Sequence, residues 1–184
     1  MKKLFIVLIM LTSLAACSVN QSFEDFFHER MERHAKEYEP EVKYAYSLVH
    51  HEENVVTDHD AVAIITEHNL QGDQIFIAYI KKENGVWEWK QTRGAEWGTP
   101  VQWSAMHQEP YIFSGAISDP TIQQVHVGGK QANIIDVADG KRFWYEISSE
   151  PSQEVKVTRA DGSEEVLEEI DEEMLKDWEG KDGE

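Results

Sequence analysis

From residue 42 onward the chain is a succession of short apolar runs broken by turn residues, and this pattern limits the fold more than any other feature. Asn84-Gly85 is its clearest turn, with Ile80 before it and Val86, Trp87 and Trp89 after it. An Asn-Gly pair between such runs favours a type I′ hairpin, because both central residues need positive φ. Gln74 to Lys81 places Ile75, Ile77 and Tyr79 on one face and Phe76, Ala78 and Ile80 on the other. Apolar residues on both faces predict a strand covered from both sides. Lys43–His50, Ala61–Thr66, Tyr111–Ser114, Ile122–Val127, Gln131–Val137, Arg142–Ser148 and Glu154–Thr158 also read as strands, with a short run near Val166-Leu167. Asn69–Asp73, Asp119-Pro120, Gly128-Gly129, Asp139-Gly140 and Asp161-Gly162 supply turns. Roughly nine or ten strands with a turn about every 8 to 15 residues argue a mainly β fold. The expected form is an antiparallel β-sandwich or barrel-like domain over 42–168, without βαβ alternation. Thr92 to Pro110 reads as its longest irregular stretch.

Helical spacing flanks this region. Phe23, Phe26, Phe27, Arg30, Met31 and His34 follow the i, i+3, i+4 rhythm, with Ser22 as cap, Asp25 completing an approximate capping box and Glu39-Pro40 as stop. An N-terminal amphipathic helix is expected over 22–38, with its phenylalanine stripe packed on the domain. At the other end, Glu164 to Glu184 holds eleven acids against Lys176 and Lys181. Leu167, Ile170, Met174 and Trp178 recur at helical spacing there, so a short acidic helix and tail are expected over 169–184.

The first residues address the chain elsewhere. Lys2 and Lys3 precede the apolar run Leu4–Leu11, and Leu14-Ala15-Ala16 leads to Cys17. A charged start, an apolar middle too short to span a bilayer and small residues at the end form an export signal. Leu14-Ala15-Ala16-Cys17 closely resembles the lipobox of bacterial lipoproteins. That resemblance implies removal of residues 1–16, a diacylglyceryl group on the Cys17 sulfur, and a lipidated leash over 17–21. The body would then be held at the extracytoplasmic face of the cell membrane by its lipid. In general style the domain beyond is similar to small lipoproteins of Gram-positive bacteria, and no residue role apart from that of Cys17 follows from this. The chain has a single cysteine, so it can form no internal disulfide, and lipidation gives that cysteine a use.

Charge narrows the partners. Residues 1–16 carry two lysines and no acid, so removing them takes the net charge from −18 to −20. Such a surface repels nucleic acid and is not drawn to anionic headgroups.

No motif names a reaction. His50-His51-Glu52-Glu53, Asp58-His59-Asp60 and Glu67-His68 are metal-ligand types, which makes His51, Asp58 and His59 the candidate metal set. Adjacent His50 and His51 point to opposite faces of a strand and cannot share one ion. Nucleophile-elbow, P-loop, dinucleotide and EF-hand patterns are absent from the sequence. Aromatic residues are the more suggestive feature. Trp97 and Trp103 fall in the long irregular stretch with Arg93 at its start, and they form the candidate ligand-contact set.

These readings lead to a lipid-anchored, non-catalytic binding module of the cell envelope, with no cofactor beyond its lipid and with an envelope protein or glycan as partner. The alternatives are an envelope hydrolase using carboxylates or a metal near His51 and Asp58, and a cation-binding lipoprotein.

Overall fold

The computed structural model describes residues 21–38, 43–95, 97–98 and 101–169. One helix, α1 (Phe23–Ala35), precedes twelve strands. These are β1 (Ala45–Glu53), β2 (Asp60–Asn69), β3 (Gly72–Glu83), β4 (Val86–Ala95), β5 (Ser104–Ala105) and β6 (Tyr111–Ile117) in the first half. β7 (Ile122–Val127), β8 (Lys130–Gln131), β9 (Asn133–Ala138), β10 (Lys141–Ser148), β11 (Val155–Arg159) and β12 (Glu164–Leu167) complete the order. The fold is mainly β, built from three four-stranded antiparallel sheets ordered β1-β2-β3-β4, β5-β6-β10-β9 and β12-β11-β7-β8.

Alternation along the strands stacks these layers. In β3, Ile75, Ile77 and Tyr79 face the second sheet, while Ala78 and Ile80 face α1. In β6, Ile112 and Ala116 meet the first sheet, and Phe113 and Ile117 meet the third. Phe143 and Tyr145 of β10 repeat the first choice and Trp144 the second. Two successive sheets are therefore covered on both faces, which is why their strands read as continuous apolar runs.

The helix covers the outer face of the first sheet. Ser22 Oγ accepts the Asp25 N–H at 3.1 Å, capping α1, and Glu24 and Asp25 lie at the positive end of its dipole. Phe23, Phe27 and Met31 are buried against Ala61, Ala63, Ile65 and Trp87. Each large side chain so buried contributes about 1.5–3 kcal/mol. The Phe23-Phe27-Met31 stripe thus packs on the body.

The expectation of a long irregular stretch shifts. β4 continues through Thr92–Ala95, and β5 interrupts the supposed irregular stretch. That stretch also lies close to the body: Val101 bridges Ile117, and Ser104, Ala105 and Met106 are buried. The run near Val166-Leu167 is β12, paired with β11, and the acidic helix expected beyond it lies outside the described residues, as do Cys17 and the helix stop at Glu39-Pro40.

The Asn84-Gly85 turn has φ of 53° and 83°, the left-handed pair that a type I′ hairpin requires. Gly115 answers a different need. A Cβ there would lie 1.7 Å from the Gln102 carbonyl oxygen and 2.9 Å from the Trp144 indole nitrogen. Gly115→Ala is expected to destabilise the fold by about 3 kcal/mol or to prevent folding, because two backbone segments must separate. Gly98→Ala, with open space around it, should change stability by less than about 0.5 kcal/mol. Urea unfolding of the Cys17→Ser protein measures both.

Candidate functional site

The β1–β2 loop holds two of the metal candidates and is organised by a neighbouring acid. Asp60 is fully buried and accepts the Val56 N–H (3.1 Å), the Thr57 N–H (2.8 Å), the Thr57 hydroxyl (2.9 Å) and the Tyr79 hydroxyl (3.0 Å). Burial, then Asp60, pushes the Tyr79 phenol well above its ordinary pKa. Asp58 and His59 are exposed on the loop so formed. His51 is directed elsewhere: its ring stacks on Phe23 at 4.8 Å, with Nε2 3.6 Å from Glu24. His50 leaves the opposite face of β1 and approaches Tyr145, at 6.3 Å between ring centres. Among the described residues, no three His, Cys, Asp or Glu side chains are arranged to hold a metal ion. The structure therefore does not assemble His51, Asp58 and His59 into one site.

The ligand-contact candidates also separate. Trp103 is buried, stacked on Phe113 at 5.6 Å, and its indole donates to the Leu167 carbonyl at 3.1 Å. It fills the core and presents no contact surface. Arg93 donates from Nε (3.0 Å) and Nη2 (2.7 Å) to the Ala105 carbonyl, tying β4 to β5. Its guanidinium closes the edge between two sheets.

Trp97 alone stands in a depression. It is half-buried against the core between the first two sheets, and Lys141 Nζ lies 5.1 Å from its ring centre. An open groove of about 290 Å³ runs from Trp97 past Tyr46, Thr66, His68, Asp73 and Lys141. It forms where the edge strand β1 and the β2–β3 turn meet the β9–β10 turn at Asp139-Gly140. His68 Nδ1 and Asp73 Oδ1 share a 2.7 Å hydrogen bond across the β2–β3 hairpin. That bond is the main cause that holds the Asp73 carboxyl below its usual range, and His68 and Lys141 charges add to it. An aromatic wall, an ammonium group and carboxylates beside an open edge suit a polar ligand that also offers an apolar face. Lys141 and Asp73 were not singled out from sequence as site residues, and His68 was named only among the metal-ligand types. The readable signal for the last two was their placement across the Asn69–Asp73 turn.

Glu67 borders the same groove and faces α1. Burial raises its carboxyl pKa, while the His34 charge and the nearby Tyr44 hydroxyl oppose the shift. A raised folded pKa favours the protonated form, so this group's favourable contribution is complete below the ordinary carboxylate pKa and is lost as pH rises through the folded value. Glu67→Gln should therefore raise the urea midpoint at pH 7 and match the parent below about pH 4. Asp60→Ala should cost about 3 kcal/mol by orphaning two amides and two hydroxyls, with Asp58→Ala within about 0.5 kcal/mol of the parent. Urea titrations of both variants check this.

The chain matches no protein-family model, and comparisons with curated proteins and with solved structures gave no match.

Proposed function

We propose that this chain is a lipid-anchored extracytoplasmic binding module with a β-sandwich body and an acidic C-terminal helix. A diacylglyceryl group on Cys17 holds it to the cell membrane, and the Trp97 groove receives an envelope protein or glycan. The observation that carries the binding half is the groove itself, an indole and an ammonium beside carboxylates in an open depression. Two acyl chains on one residue anchor stably where one would exchange. No helix among the described residues is long and apolar enough to cross a membrane.

The groove's groups suit binding: the Trp97 indole beside Lys141 and the hydrogen-bonded His68–Asp73 pair offer apolar and polar contacts at one open edge.

One experiment tests both halves. Mass spectrometry of the membrane-extracted protein, cross-linked in intact cells, should find diacylglyceryl on Cys17 and one reproducible partner joined at residues bordering Trp97. Cys17→Ser should release the protein into the medium. Trp97→Ala and Lys141→Ala should each reduce that cross-link about tenfold while the lipid stays in place. A cross-link unchanged in both variants would remove the groove from the proposal.

A further inference from the structure

We infer that the end of the body bearing Val56 and Val86 rests on the phospholipid surface, so that the lipid fixes the orientation of the domain as well as its location. This rests on the anchor proposed above.

The position of the leash comes first. The Gln21 carbonyl accepts hydrogen bonds from Lys82 Nζ at 3.3 Å and from Trp87 Nε1 at 3.2 Å. Phe23, two residues on, stacks on His51 and meets Trp87 edge-on at 5.7 Å. The chain is therefore fixed to the end of the first sheet where β3 turns into β4. Cys17 lies four residues before Gln21, a reach of at most about 14 Å. That end of the domain cannot move far from the headgroups.

The same end displays apolar side chains. Val56 is 49% exposed and Val86 is 56% exposed. The other exposed large hydrophobic residues among those described are Leu70, on the β2–β3 turn at the opposite end, and Val166 on β12. Val56 is held in place, since Asp60 binds its amide and that of Thr57. Lys82 N–H donates to the His59 carbonyl at 2.7 Å, joining the loop to β3 beside the turn that carries Val86. An open cleft of about 550 Å³ between loop and turn is lined by His59, Lys82, Asn84 and Gly85, none of them acidic. The nearby Glu83 is 3.8 Å from Lys81 and 3.1 Å from Lys90.

Two valines would not recruit a free protein to a bilayer. A tethered one needs far less, because a short leash gives an effective concentration on the order of millimolar. A contact of about millimolar strength is then occupied much of the time. The surface it fits is zwitterionic, since a chain of net charge −18, more negative still without residues 1–16, is repelled by anionic headgroups.

The test is hydrogen exchange on the full chain extracted from membranes and reconstituted in phosphatidylcholine vesicles, with Cys17→Ser protein in solution as reference. If Cys17 proves to carry no lipid, the anchor reading fails by its own mass measurement. The orientation is then tested on the same chain coupled through its Cys17 thiol to a maleimide lipid. Amides of 54–59 and 83–86 should exchange about threefold or more slowly on vesicles, with 69–72 unchanged. Val56→Ser with Val86→Ser should leave the protein on the vesicles and abolish the slowing. Unchanged exchange at 54–59 and 83–86, protection at 69–72, or slowing that survives the double substitution would each overturn the inference.

Discussion

From Ile112 to Ile117 every residue of β6 is buried, and successive side chains leave for opposite cores. Such a strand has no solvent face on which an error of register could be tolerated. A one-residue slip would move Phe113 and Ile117 toward the first sheet and Ile112 and Ala116 toward the third. Both interfaces would then be misfilled at once. The middle sheet thus sets the spacing of the layers on either side, and the elements that carry surface chemistry are built outward from it.

Close approach sharpens this constraint. Gly115 lies opposite Trp144 on β10, and the missing Cβ admits the Gln102 backbone. Trp144 is fully buried, and its indole nitrogen has no hydrogen-bond partner among the described residues. An unpaired buried donor costs about 1–3 kcal/mol, a cost that the large apolar area of the ring offsets. Two polar anchors sit where loops leave the layers. Asp60 closes the β1–β2 loop, and Arg159, joined to Asp119 and Glu165, ties the β6–β7 connection to the third sheet.

Period and turn chemistry were legible in the residues; stacking was not. The two-faced apolar pattern of Gln74–Lys81 announced β3, and Asn84-Gly85 announced its hairpin, because both signals are local. The opposed directions of His50 and His51 also followed from strand geometry alone. Trp103 and Arg93 were harder. Whether a loop tryptophan meets solvent or core depends on Phe113, in the next long strand, and on Leu167, which lies far along the chain. β5, two residues long, is defined by its partner β6 and carries no period of its own. Asp60 was hidden among acids of the same kind, and only its four bonds distinguish it. The groove escaped for the same reason, since Trp97, Lys141 and His68 meet only when the β2–β3 and β9–β10 turns are brought together.

The layered build also decides where a tether can act. α1 lies along the first sheet, so its start is fixed beside Trp87 while His34 and Tyr38 reach Tyr44 at the start of β1. β2, ten residues long, separates those ends by roughly 30 Å. The Trp97 groove belongs to the end away from the leash, because it borders the β2–β3 turn and the first residues of β1. On the proposed anchoring, the lipid and the groove act at opposite ends of one rigid sheet. A helix packed along that sheet by Phe23, Phe27 and Met31 then holds the groove clear of the headgroups, where a long flexible linker would let it fall back onto them.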